Sequence, residues 1–211
     1  MIRFRGILFC IILSLASAGL YFLLKPKETL EQRKYDLYEQ LHQHDLREGY
    51  LIFVTKPGVW GDIAQAFSGK DPRYGHIGLI AKSQEGKWTV INADGNPVDP
   101  KGSVREENLK NFMATATKVG IFELKLDVDQ IQKMIHRARF YVDAKYQFNS
   151  QFILGQANAF YCTELIWAVI KEVTSNDIVP QKRVHWGYEY IGIDDLTINP
   201  WTKELLQIDL N

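Results

Sequence analysis

The chain is organised around the stretch Phe160–Trp167 (FYCTELIW), which opens a helical pattern and carries the one cysteine outside the N-terminal apolar segment. Cys162 points inward in the first turn of the predicted helix, where backbone N–H groups lack intrahelical acceptors and the helix dipole favours an anion. A thiol in that position ionises more readily, and the thiolate is the nucleophilic form. The alternative is a small buried hydrophobe, which is what most free cysteines are. The helix face itself is defined by apolar residues at Leu165, Ile166, Val169, Ile170 and Val173.

Composition limits the classes of function. The 211 residues suffice for one domain and are too few for two comfortable ones. The 25 Lys and Arg residues equal the 25 Asp and Glu residues in number, and no basic block is present, so no nucleic-acid partner is expected. There is no phosphate-binding glycine loop, no His-Glu-x-x-His and no Cys-x-x-Cys, so we predict neither a cofactor nor a metal.

The N-terminal segment predicts a membrane anchor. Gly6–Leu24 carries no charge, follows Arg3 and Arg5, and would rise about 28 Å as a helix, close to the thickness of a bilayer core. Ala16-Ser17-Ala18 fits a signal-peptidase site, but the apolar run continues past it, which favours an uncleaved helix. Cys10 lies in this segment, so no disulfide with Cys162 is expected. We predict an anchor or signal segment at 1–25, a linker helix at 26–47 and an exported domain at 48–211.

A histidine lies on a predicted hairpin upstream of the cysteine. Tyr74–Ala81 alternates as a strand on which His76 and Gly78 share one face, which would leave the imidazole room above the sheet. A turn at 82–86 and a returning strand at 87–93 follow. If Ala81 pairs with Lys87, Asn92 lies opposite His76 on the same face of the sheet. Asp94, two residues further along the strand, points to the same face and is the alternative partner of His76. An Asn near a strand end is also a common turn former.

The remaining pattern predicts an α+β domain. Asp127 and Gln130 form a capping-box signature at the start of a second helix. Asp94–Lys118 is polar and is predicted to be irregular apart from a short helix within 106–113, and Asn176–Trp186 is predicted to be a loop. Strands are predicted at 49–54, 119–126, 191–197 and 205–210, with a helix at 60–67.

These residues supply the parts of a cysteine-nucleophile site. Histidine accepts the thiol proton and later protonates the leaving group. A side-chain oxygen fixes the imidazole by accepting from its other N–H. The backbone N–H of Cys162 would stabilise the oxyanion of an acyl intermediate. The candidate catalytic residues are therefore Cys162, His76 and Asn92.

The same residues carry a family resemblance. Tyr74–Ile80 (YGHIGLI), followed about eighty-five residues later by Phe160–Ile166 (FYCTELI), resembles the circularly permuted papain-like NlpC/P60 hydrolases, within them the YiiX/YebB-like branch. The chain departs from the family at Gly49-Tyr50, where relatives usually have Gly-Asp, and at Tyr146-Gln147-Phe148, where they have Tyr-Asp-Phe. Many relatives have a glutamate at the position of Asn92.

The resemblance implies a fold and an activity. The fold is a small antiparallel, barrel-like sheet packed against the cysteine-bearing helix, and the activity is that of a cysteine amidase or peptidase acting on cell-wall peptides or lipid-linked amides. The N-terminal segment adds a transmembrane helix, so we predict a membrane-tethered enzyme on the periplasmic or extracytoplasmic side of a bacterial inner membrane. Two alternatives stay open: a non-catalytic binding or scaffolding protein on the same fold, and an acyltransferase or thioesterase using the same residues.

Overall fold

The structure is a computed structural model that describes residues 37–41, 44–58, 68–96 and 99–209. Its helices are α1 (Leu109–Phe112), α2 (Val128–Asp143), α3 (Cys162–Thr174) and α4 (Asp194–Thr197), and residues 37–41 are also helical. The strands are β1 (Leu51–Thr55), β2 (His76–Lys82), β3 (Trp88–Asn96), β4 (Asp99–Asn108), β5 (Lys118–Leu124), β6 (Gln147–Phe148), β7 (Ala159–Phe160), β8 (Arg183–His185), β9 (Tyr188–Tyr190) and β10 (Thr202–Asp209).

Eight strands form one sheet in the order β10-β5-β1-β2-β3-β4-β6-β7. All neighbours are antiparallel except β6 and β7, which pair in parallel, so the sheet is mixed. The prediction of a small, purely antiparallel sheet is wrong on this point. The parallel pair arises because the chain runs through the loop at 149–158 between β6 and β7 and does not reverse in a tight turn, as a hairpin would.

The sheet has an apolar cluster on each face. One cluster holds Ile77, Leu79 and Ile91 against α2 and α3, and it includes Cys162. The other holds Ile80 and Val90 against α1 and the helical residues 37–41. Alternation along the strands produces both clusters, because successive side chains of a strand point to opposite faces. Burial on both faces makes β2 the central element of the domain.

The predicted starts of the two long helices are confirmed. Helix α3 begins at Cys162, and its buried residues include Leu165, Ile166, Val169 and Ile170, as the sequence period indicates. Helix α2 begins after a capping box in which Asp127 accepts from the Gln130 N–H at 2.8 Å and the Gln130 side chain accepts from the Asp127 N–H at 3.2 Å.

The register between β2 and β3 differs from the expected one by two residues. Ala81 pairs with Thr89 and not with Lys87. A shift of two keeps every side chain on its predicted face, so Asn92 still lies on the His76 side of the sheet. Recorded pairing ends at Leu79 and Ile91, so β2 and β3 separate before the chain reaches His76.

Several local predictions are wrong. Asp94–Lys118 is not irregular, because β3 continues to Asn96 and β4 runs back along it. The predicted loop at 176–186 contains β8, which forms a two-stranded hairpin with β9. The predicted strand at 191–197 contains helix α4. The predicted helix at 60–67 lies outside the described residues.

The predicted transmembrane helix lies outside the described residues as well. Among the helices that the structure does describe, none has the length and apolarity needed to cross a bilayer.

Candidate active site

Helix α3 brings the Cys162 thiol to the beginning of β2. Cys162 is 8% exposed, and the backbone N–H groups of Ile77 and Thr163 lie close enough to its sulfur to lower the pKa of the thiol. The Ile77 N–H is free for this contact because β2 and β3 no longer pair at that point. The thiol therefore lies beside the peptide unit that joins His76 to Ile77.

The imidazole of His76 is fixed by Asn92. His76 Nε2 and Asn92 Oδ1 are 3.3 Å apart, and the Asn92 side chain is completely buried. Asn92 Nδ2 donates to Glu107 Oε1 at 3.0 Å. Because a carboxylate only accepts, this contact settles which end of the Asn92 amide faces His76.

The orientation of Asn92 determines the tautomer of His76. Asn92 Oδ1 can only accept, so the neutral imidazole carries its proton on Nε2 and leaves the Nδ1 lone pair free. A neutral histidine with a free nitrogen is the state that a general base requires.

Sequence reasoning missed two residues of this cluster, Glu107 and Arg105. Arg105 Nε donates to Glu107 Oε1 at 3.3 Å, and the Arg105 guanidinium is also paired with Asp94. Asp94, the alternative partner of His76, is thus engaged with Arg105, whereas His76 Nε2 is bonded to Asn92 Oδ1. Alternation along β4 would have placed Arg105 and Glu107 on one face, but β4 was not predicted as a strand.

The space that Gly78 was expected to leave above His76 is filled. A Cβ at Gly78 would come within 2.2 Å of Val90 Cγ1. His76 instead stacks on Phe112, with 5.4 Å between ring centroids and 28° between planes. Gly78 is thus needed for close packing of β2 on β3, and the imidazole is held between an aromatic ring and a buried amide.

Burial favours the neutral forms of both reactive groups. Burial lowers the pKa of His76 to about 4. The charge of Lys56 also lowers this pKa, whereas the charge of Asp94 raises it. Burial raises the pKa of Cys162 to about 12, although the N–H groups of Ile77 and Thr163 oppose that change. At neutral pH Cys162 is consequently a thiol and His76 a neutral imidazole.

A buried glutamate anchors the start of α3. Glu164 is 1% exposed and accepts from the Gly155 N–H at 2.7 Å, from Asn149 Nδ2 at 3.2 Å and from the Tyr161 N–H at 3.4 Å. Burial raises its pKa to about 7, and these donors act against the increase. Glu164 thereby ties the loop at 149–155 to the turn that presents Cys162.

A cavity of about 350 Å³ opens at the thiol. Of the three predicted site residues, all of which the structure describes, Cys162 alone lines it. The cavity therefore reaches Cys162 but neither His76 nor Asn92.

Comparisons with known proteins agree with this geometry. A family model described as a permuted papain-like amidase enzyme, YaeF/YiiX, C92 family, matches residues 45–184. Among solved structures, the chain is similar to the metalloprotein YiiX from Escherichia coli O157:H7, with 17% identity, a TM-score of 0.64, and coverage of 78% of this chain and 99% of that one. At that identity the likeness shows the fold. No curated protein matches the chain significantly.

The described part of the chain contains no group of three or more His, Cys, Asp or Glu side chains that could hold a metal ion.

Proposed function

Because the chain belongs to the family of permuted papain-like amidases, which are cysteine enzymes, we propose that it hydrolyses an amide with Cys162 as nucleophile, His76 as base and Asn92 as the group that orients His76. The observation that carries this assignment is the fixed orientation of the imidazole. Asn92 donates to Glu107 and accepts from the Nε2–H of His76, so the Nδ1 lone pair remains available to take a proton.

Acylation begins with transfer of the thiol proton to His76 Nδ1 as the sulfur attacks the carbonyl carbon. The resulting oxyanion is stabilised by backbone N–H groups in the first turn of α3, those of Cys162 and Thr163. His76 then gives its proton to the leaving nitrogen, the carbon–nitrogen bond breaks, and a thioester on Cys162 remains.

Deacylation repeats these steps with water. His76 accepts a proton from the water molecule, the hydroxide attacks the thioester, and the acid leaves as the proton returns to the sulfur. Asn92 stabilises the imidazolium by orientation and by its dipole, without the full countercharge that a glutamate would provide.

The N-terminal segment supports a location for the activity. Gly6–Leu24 would anchor the chain in the bacterial inner membrane, with the domain on the extracytoplasmic side. The accessible substrates there are cell-wall peptides and lipid-linked amides. An intact N-terminus on the membrane-bound protein supports the anchor, and a mature chain beginning at Gly19 contradicts it.

One observation favours the non-catalytic alternative. The thiol is nearly buried, and burial keeps it protonated, as in an inert structural cysteine. A binding or scaffolding protein would need no reaction at Cys162. An acyltransferase or a thioesterase would use the same residues and differ in the acceptor or in the bond cleaved.

A hydrolysis screen with matched variants separates these functions. Wall peptides and acyl amides are offered to the full chain and to Cys162→Ala and His76→Ala. We expect hydrolysis of at least one class by the wild type, with a loss of about a hundredfold or more in each variant. Product formation that is equal in all three proteins, or absent with every substrate, contradicts the assignment.

A further inference from the structure

Phe, Tyr and Trp make up five of the thirteen residues that line the cavity at Cys162. It is formed by the start of α3, the loop at 149–155, the hairpin β8–β9 and the segment 191–193. Most of that hairpin lies beyond residue 184, where the family match ends. The rings that line the cavity belong to Phe152, Tyr161, Trp186, Tyr188 and Tyr190.

Backbone and hydroxyl contacts hold the walls together. The Leu154 N–H donates to the Glu189 carbonyl at 2.9 Å, which joins the loop to the hairpin. Thr163 Oγ1 donates to the Ile191 carbonyl at 2.7 Å, and the Ile191 N–H donates to the Tyr161 hydroxyl at 2.8 Å. The cavity is thus built before any ligand arrives, so little ordering cost accompanies binding.

The hairpin tip holds a tryptophan at the mouth of the cavity. Trp186 and Gly187 have φ values of 50° and 83°, the left-handed pair that a two-residue turn of this kind requires. Such a conformation is uncommon for a bulky residue, and Trp186 is nevertheless 88% exposed, with His185 stacked on it at 4.7 Å. A large aromatic surface is therefore kept in solvent on the cavity that Cys162 also lines.

The chemistry of the walls selects among substrates. Among the described residues lining this cavity there is no Asp, Glu, Lys or Arg, and His185 is the one basic side chain. An amine or a carboxylate of a peptide stem would lose hydration here without gaining a countercharge. An alkyl chain would gain from every methylene removed from water.

We propose that this cavity is an acyl subsite that binds an uncharged, linear apolar acyl group with its carbonyl at Cys162. The inference rests on the proposed function and refines it, because it selects acyl amides over wall peptides. The occupant is identified by continuity with the thiol, by the absence of countercharges among the described lining residues and by the volume of about 350 Å³.

The test is a series of 4-nitroanilides and 4-nitrophenyl esters whose acyl groups run from acetyl to dodecanoyl. We expect kcat/KM to increase by up to about threefold to fourfold per added methylene until the cavity is full. A chain of equal length that ends in a carboxylate, suberoyl in place of octanoyl, should lose most of that gain. An unchanged or falling kcat/KM along the series overturns the inference.

Variants locate the effect in the hairpin. Trp186→Ala and Tyr188→Ala should reduce the ratio of octanoyl to acetyl kcat/KM by about threefold or more. Phe140→Ala, which removes an exposed aromatic residue on α2, should leave the ratio unchanged. An unchanged ratio in both hairpin variants contradicts the assignment of the subsite.

The failure of the inference can be told from the failure of the proposed function. Hydrolysis of the acetyl substrates that requires Cys162 but shows no dependence on chain length overturns the subsite and leaves the amidase intact. Absence of Cys162-dependent hydrolysis throughout the series overturns both.

Discussion

Replacing Glu107 with leucine should change the tautomer of His76 indirectly, through Asn92. Glu107 Oε1 accepts from Asn92 Nδ2 at 3.0 Å, and Asn92 is completely buried, so the variant leaves an amide N–H without this acceptor. The amide can then rotate and present its NH2 group to His76 Nε2. Nε2 must accept in that arrangement, so the proton moves to Nδ1, and His76 can no longer take the thiol proton there.

The magnitude follows from the contact that is lost. A hydrogen bond to a charged group contributes about 1.5–3 kcal/mol, and each 1.36 kcal/mol changes a population about tenfold. We therefore expect kcat/KM of Glu107→Leu to fall by roughly tenfold to a hundredfold. Glu107→Gln keeps an acceptor oxygen and should lose less, about threefold.

The assay compares kcat/KM and urea unfolding in parallel. Glu106→Gln is the matched control, because Glu106 is the neighbour of Glu107 on β4 but is bonded to Thr89 and Arg139. It should lower the free energy of unfolding and leave kcat/KM unchanged. A folded Glu107→Leu protein with wild-type kcat/KM would refute the idea that Glu107 sets the orientation of Asn92.

Two further predictions concern pH. Burial raises the pKa of Glu164 from 4.5 to about 7 in the folded protein, so its contribution to stability is full below pH 4.5 and declines as pH rises to about 7. The loss amounts to up to about 3 kcal/mol of the free energy of unfolding. The free energy of unfolding, measured with urea at pH 5 and at pH 8, should therefore fall less between these two pH values in Glu164→Gln than in the wild type. Because burial lowers the pKa of His76 to about 4, its neutral form persists well below pH 6.5, and the acid limb of kcat/KM should lie below pH 5. The charge of Asp94 raises the pKa of His76, so Asp94→Asn should move the acid limb of kcat/KM to still lower pH. An acid limb near pH 6.5 in both the wild type and Asp94→Asn contradicts the assignment of His76 as the base.

Local periodicity was enough to predict the elements that bear the nucleophile and the base. The apolar spacing after Cys162 predicts a helix that begins where α3 does, because one face of a helix repeats every 3.6 residues. The face of His76 and Asn92 was also predictable despite a wrong register, because the shift of two residues preserves parity.

Elements whose sequence lacks the usual strand or turn pattern were not predictable. Strand β4 has a polar sequence, and it forms a strand because it pairs with β3. Since β4 was not predicted, the contact between Glu107 and Asn92 was not predicted either. The hairpin β8–β9 lacks an Asn-Gly or Asp-Gly turn and places Trp186 in the left-handed region. The interpretation of Gly78 as open space failed because a glycine in a strand also marks close packing, here against Val90.

The most direct test of the account is the dependence of Cys162 reactivity on His76. A thiol-reactive acetamide probe is applied to the full chain at neutral pH, and the adduct is located and timed by mass spectrometry. We predict labelling of Cys162 that falls at least about tenfold in His76→Ala, because the imidazole accepts the thiol proton. Slow labelling at the same rate with and without His76 would contradict the account.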